Sequence, residues 1–195
     1  MDMTIPLLWA LTGPRGAGKT TFCRTLAERA RAAGWDVAGL LSPGVFEDGV
    51  KTGILAQALR TGETHPLARV HPPPGGASEV EGRSPQLAFG NWLFDASAFT
   101  WGNQVLEASL PCDLLIVDEL GPLELVRGEG WTSALAVLRQ PRYRVGLVVV
   151  RPELVEIARQ SLPIARVMAF GPGAPGTGTE SEERFKSLFG NTPGD

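Results

Sequence analysis

Apolar residues along this chain fall into two patterns. Some form short unbroken runs; others recur at intervals of three and four. The runs 114–117 (Leu-Leu-Ile-Val) and 145–150 (Val-Gly-Leu-Val-Val-Val) carry no alternation, as expected for strands covered on both faces of a parallel sheet. Residues 7–11, 37–41 and 164–170 read as further strands. Helical spacing begins near residue 20 and continues to about 33, with Phe22, Leu26, Ala30 and Ala33 on one face. Gly34 then stands where a left-handed helix stop is expected. Helices are also predicted over 96–110, closed by Pro111, and over 131–138, 153–160 and 181–189. The last follows a Gly/Pro/Thr linker at 171–180.

The middle of the chain reads differently. Segments 45–46 and 50–59 flank Asp48-Gly49, a tight-turn signal, and Thr61-Gly62-Glu63 offers a second turn before 67–70. Residues 87–95 are expected as one strand carrying Phe89, Trp92 and Phe94. The Pro/Gly-rich stretch 71–85 is expected to be a flexible loop. The alternation of strands and helices gives an α/β fold, a mostly parallel open sheet with helices on both faces. Residues 43–95 are expected to add an antiparallel extension at its edge, and the whole 1–195 to fold as one domain.

Composition narrows the partners. A formal charge of −3 over 195 residues provides no basic surplus for holding a nucleic acid by counterion release. Cys23 and Cys112 lack metal-ligand spacing and are expected as reduced core residues. His65 and His71 border prolines and are expected in loops. The first residues, Met1-Asp2-Met3-Thr4, do not form a signal peptide. No apolar stretch approaches membrane-spanning length. The expectation is a soluble cytoplasmic protein, its protein partners unknown.

The chemistry is concentrated in one string, Gly13-Pro14-Arg15-Gly16-Ala17-Gly18-Lys19-Thr20. It matches the phosphate-binding loop G-x-x-x-x-G-K-[ST], placed between a strand and a helix as that loop requires. The glycines allow backbone angles that let successive N–H groups point inward, and the helix start adds its own N–H groups. Lys19 is assigned to the β- and γ-phosphates and the Thr20 hydroxyl to Mg2+. Thr21 completes the binding segment. A nucleoside triphosphate is the expected ligand.

Asp118 closes the run 114–117, so its carboxylate is expected at the carboxyl edge of the sheet. There it is the second metal-holding residue. Glu119 beside it is the candidate for activating the attacking water. Arg151 closes the run 145–150. In additional-strand phosphate-loop folds the strand carrying such a residue lies between the loop strand and the acidic strand, which sets Arg151 beside the γ-phosphate. Asp118-Glu119-Leu120-Gly121 also fits the D-x-x-G string of GTPases, but no N-K-x-D guanine-reading string accompanies it.

Three readings share these residues. The first is a magnesium-dependent nucleoside triphosphatase. The second is a nucleotide or small-molecule kinase, with Arg60, Arg69 or Arg83 on a closing lid. The third is a nucleotide-dependent accessory or switch protein with negligible turnover, presenting Trp92, Trp101 or Trp131 to a partner.

The segment 13–21, the string Leu-Leu-Ile-Val-Asp-Glu-Leu-Gly-Pro-Leu-Glu-Leu at 114–125 and the order of elements together resemble the small thermophilic-type nucleoside-triphosphatase family. That group includes the cancer-related nucleoside-triphosphatase. The resemblance implies a RecA-like sheet, Mg2+, and slow hydrolysis of ATP- and GTP-type substrates with little base selectivity. It carries Lys19, Thr20, Asp118 and Glu119 over in the roles given above. Glu124 matches the family string without an assigned chemical role beyond bracing its loop. The chain departs from the family at Pro122, where a basic residue is frequent, and in the 45–49 hairpin, which lacks the arginine often found nearby. The loop 71–85 also departs, as a local insertion.

Overall fold

Leu114 and Ile116 face one side of a sheet and Leu115 and Val117 the other, and all four are at most 1% exposed. Period-two alternation with apolar residues at every position needs cover on both faces, and the computed structural model of this protein provides it. The structure describes residues 6–71 and 86–171. Within them the strands are β1 Leu7–Thr12, β2 Val37–Leu41, β3 Gly44–Glu47, β4 Val50–Ala58, β5 Thr64–Val70, β6 Gln86–Phe89, β7 Trp92–Asp95, β8 Cys112–Leu120, β9 Tyr143–Val150 and β10 Ile164–Ala169. The α-helices are α1 Lys19–Ala32, α2 Ala96–Glu107, α3 Thr132–Arg139 and α4 Val155–Ser161.

All these strands belong to one sheet, ordered β10-β1-β9-β8-β2-β4-β5-β7-β6, with β3 beside β4. The five strands from β10 to β2 are mutually parallel. From β2 onward the pairing is antiparallel, which is the expected edge extension. β9 lies between the loop strand β1 and the acidic strand β8, the insertion foreseen from the sequence. Helix α1 covers one face through Phe22, Cys23, Leu26, Ala27 and Ala30. Helices α2, α3 and α4 cover the other through Phe99, Leu106, Val137, Leu138 and Ala158. This is an open α/β sheet of the phosphate-loop type.

Several local expectations are corrected. Residues 87–95 are a hairpin rather than one strand: β6 and β7 pair antiparallel across Gly90-Asn91, and Gly90 has φ +57°. A glycine at the first of the two turn positions supplies the positive φ of a tight hairpin turn that right-twisted strands favour. Helix α2 stops at Glu107, short of residue 110, and begins at Asp95, whose carboxylate accepts the Ser97 N–H at 2.8 Å. His65 lies within β5 and not in a loop. The acidic strand runs on to Leu120, so Asp118 lies inside β8. Ala33 is an exposed helix-end residue, while Gly34 adopts the expected left-handed angle, φ +82°. Most of the loop 71–85, the linker 171–180 and the helix expected at 181–189 lie outside the described residues.

Candidate functional site

The glycine-rich string is folded against the end of the sheet. Gly13 has φ +146°, and a Cβ there would stand 2.4 Å from the Phe170 carbonyl oxygen. No side chain larger than hydrogen fits that approach. The Phe170 N–H also donates to the Thr12 carbonyl at 2.8 Å, locking the loop's first residues to the end of β10. Gly18 precedes α1 in the left-handed conformation, φ +81°, and no side chain caps the helix start. The first N–H groups of α1 therefore have no side-chain cap and are available to an anion. Pro14, Arg15 and Gly16 are exposed, Ala17 is buried beneath them, and Thr21 is exposed on the first turn. Lys19 bends back over the loop, its Nζ donating to the carbonyls of Gly13 and Pro14 at 2.8 Å each. An ammonium carries three donors, so this seat leaves one for a further acceptor.

Asp118 lies across from this loop. It is 2% exposed and accepts hydrogen bonds from the Thr20 hydroxyl and from the Ser42 N–H at 3.2 Å. The Ser42 hydroxyl donates to the Asp118 carbonyl. Burial pushes the Asp118 carboxyl up to about 6; the bonds from Ser42 and Thr20 and the Lys19 charge pull it down, and Glu119 pushes it up. Lys19, Thr20 and Asp118 are thus on one side of the sheet edge and within reach of one another's charge. A carboxylate and a hydroxyl are hard oxygen donors, and together they suit Mg2+, which keeps several waters and takes its other ligands from phosphates.

Glu119 owes its position to a bulge. Asp118 pairs with Val149 and Leu120 with Val150, so Glu119 is the extra residue and β9 advances by one while β8 advances by two. The peptide joining Asp118 to Glu119 is cis. The Glu119 side chain is half-buried, and its Oε1 accepts from Arg151 Nε at 2.7 Å. Two residues singled out separately by sequence are therefore bonded to each other.

Other residues at this edge had no sequence signal or only a weak one. Ser42 follows β2 in a string that matches no motif. Glu124 is 7% exposed and accepts from the N–H groups of Gly121 at 2.8 Å and Trp131 at 3.0 Å, bracing the turn after the acidic strand. Lys51 projects from β4 and feels the charges of Arg15, Glu119, Asp118 and Arg151. Its presence beside the missing family arginine was the available hint.

The supposed lid arginines divide. Arg60 is fixed at the opposite edge of the sheet, its Nε and Nη2 donating to Asp36, its Nη1 to the Ala108 carbonyl and its Nη2 also to the carbonyls of Ser109 and Pro111. Arg69 belongs to β5, and Arg83 lies outside the described residues. Of the tryptophans, Trp131 is a core residue packed edge-on against Phe99, and Trp101 lies against His65. Both cysteines are free, Cys23 buried in the core and Cys112 half-buried. Among the described residues no helix is long and apolar enough to cross a membrane.

A phosphate loop before α1, an acidic residue two strands away and β9 inserted between them define an additional-strand P-loop protein of RecA-like topology. A family model described as NTPase matches residues 9–166, and the chain belongs to that family. It is 36% identical over 116 residues to the nucleoside-triphosphatase THEP1 of Ignicoccus hospitalis, covering 60% of each chain. To the enzyme of that name from Methanopyrus kandleri it is 30% identical over 159 residues, covering 76% of this chain and 82% of the relative. It thus spans less than two thirds of the Ignicoccus protein's length. The solution structure of a human cancer-related nucleoside triphosphatase superposes with a TM-score of 0.64 at 24% identity, covering 94% of this chain and 96% of that one.

Proposed function

We propose that this protein is a magnesium-dependent nucleoside triphosphatase that releases the γ-phosphate of ATP- and GTP-type substrates with little base selectivity. The observation that carries this reading is the hydrogen bond from the Thr20 hydroxyl to the buried Asp118 carboxylate, with the Lys19 charge beside it. That contact joins the two halves of the site from positions almost a hundred residues apart.

In this reading residues 13–21 cradle the polyphosphate through backbone N–H groups, and the Lys19 ammonium reaches the β- and γ-phosphates. Thr20 and Asp118 hold Mg2+, which neutralises charge on the phosphate oxygens. Glu119 accepts a hydrogen bond from water and takes its proton as the water oxygen bonds to the γ-phosphorus. The bond from that phosphorus to the β-phosphate oxygen breaks, giving a nucleoside diphosphate and inorganic phosphate. Arg151, adjacent to Glu119, offsets charge on the transferring group.

Steady-state phosphate release with ATP, GTP, CTP and UTP tests the proposal. The expected result is turnover of all four without an added acceptor, abolished by chelation and by Lys19→Ala. Phosphate transfer seen only with an added acceptor would replace this reading with the kinase; tight binding without turnover would replace it with the switch protein.

A further inference from the structure

The antiparallel extension does more than widen the sheet. Leu41 of β2 pairs with Gln57 of β4, so the earlier residues of β4 continue beyond the end of β2. There they pair with β3, Val45 opposite Gly53 and Phe46 opposite Lys51. This hairpin stands past the carboxyl edge, the edge that bears the phosphate loop, Asp118 and Arg151. We propose that Lys51, carried on this hairpin, contacts the terminal phosphate of the bound nucleotide and acts as a catalytic cation in the hydrolysis.

Three observations support the assignment, which rests on the triphosphatase reading. Position comes first: Lys51 is carried on the hairpin past the carboxyl edge, and the charges of Arg15 on the loop and of Glu119, Asp118 and Arg151 at the strand ends all reach it. A cation within reach of both groups is placed to meet a γ-phosphate bound there. Accommodation comes second. A Cβ at residue 44 would stand 2.8 Å from Lys51 Cε, so Gly44 leaves room for the lysine stem. The ammonium lies 5.4 Å from the Trp92 ring centroid, a contact that steadies a cation without neutralising it. Third, Lys51 forms no ion pair with a carboxylate among the described residues. Burial is the main cause that lowers its proton affinity; Arg15 and Arg151 lower it further, while Glu119 and Asp118 act the other way. A half-buried ammonium facing two guanidinium groups is relieved by an incoming polyanion. The chain has three lysines, and the two in the described residues, Lys19 and Lys51, both attend this site.

The test compares the full-length protein with Lys51→Ala, Lys51→Met and Lys51→Arg. It measures kcat and KM for MgATP, and calorimetric affinities for ADP and a non-hydrolysable ATP analogue. Lys51→Ala and Lys51→Met are expected to lower kcat about a hundredfold. They should weaken the triphosphate analogue roughly tenfold or more while leaving ADP within about twofold, as a contact confined to the terminal phosphate requires. Lys51→Arg should recover most of both losses. Lys51→Met keeps the apolar stem, which separates charge loss from misfolding. Unchanged kcat and analogue-to-ADP ratio in Lys51→Met would overturn the proposal, as would an equal loss of analogue and ADP. Failure of the triphosphatase reading is distinct: wild-type protein would then bind no nucleotide, or Lys19→Ala would bind it unimpaired.

Discussion

Arg151 Nε donates to Glu119 Oε1 at 2.7 Å, joining the end of β9 to the bulge in β8. The pair is about two-fifths exposed on each side, so its contribution to stability is small, on the order of 1 kcal/mol or less. Its interest lies in control. A carboxylate oxygen occupied by a guanidinium N–H is not free to accept a hydrogen bond from water. An arginine that turns toward a γ-phosphate releases that carboxylate to water.

Glu119→Gln is accordingly expected to keep nucleotide affinity and lose about a hundredfold or more in kcat, the scale of general-base catalysis. Arg151→Ala should also lower kcat, and the double variant should lose far less than the product of the two. Residues that act as one unit are non-additive. Single-turnover rates for the four proteins check this. Independent, multiplicative losses would mean that the pair does not work as a unit, and wild-type turnover by Glu119→Gln would remove its assigned role.

Asp118 links stability to pH. Its carboxyl is raised by burial to about 6 from an ordinary 3.8. In metal-free protein the folded form therefore holds a proton that the unfolded chain has already released. The resulting stability is complete below about pH 4 and lost as pH climbs through about 6, an effect of about 3 kcal/mol. Asp118→Asn removes the titration. With chelator present, this variant should unfold several degrees above wild type at pH 8 and approach it near pH 4, while losing magnesium-dependent nucleotide binding. Thermal melts across that range decide it; a gap that does not change with pH would contradict the buried carboxylate.

The parallel core was legible because its strands have no polar face. Runs such as 114–117 and 145–150 have few alternatives once helices of suitable spacing separate them. The phosphate loop was equally legible, since its chemistry is local and continuous in sequence. What could not be read depends on contacts across the fold. The Ser42 bonds to Asp118 span 76 residues, and no spacing rule encodes them. Lys51 gains its neighbours only because β4 runs past the end of β2. The hairpin at Gly90-Asn91 was readable in principle, but the aromatic residues Phe89, Trp92 and Phe94 suggested one continuous strand.

Arg60 offers a test away from the site. It ties Asp36, before β2, to the carbonyls that follow α2, closing the edge opposite the phosphate loop. Arg60→Ala should cost about 1–2 kcal/mol, since the guanidinium is partly exposed but satisfies several carbonyls at once. Nucleotide affinity and kcat should stay at wild-type values. Urea unfolding with parallel turnover assays would check this. A selective loss of turnover at unchanged stability would return Arg60 to the lid role that its bonding pattern opposes.

Glu124 is the buried acid whose geometry explains its presence without chemistry. It belongs to the π-helical turn Leu123–Arg127, and its two oxygens separately accept the N–H groups of Gly121 and Trp131. A Cβ on residue 130 would come within 2.1 Å of one of those oxygens, so the loop wraps closely on the carboxylate. Glu124→Gln supplies one acceptor and presents an amide NH2 to the other backbone N–H, leaving that donor unpaired at a cost of about 1–3 kcal/mol. Gly121 is two residues from Glu119, so the loosened turn should reach the water-activating carboxylate. The expected outcome is lower melting temperature, reduced kcat and little change in KM for MgATP. If the variant melts and turns over like wild type, neither hydrogen bond supports the site. If KM alone rises, Glu124 acts on substrate binding and not through the turn it holds.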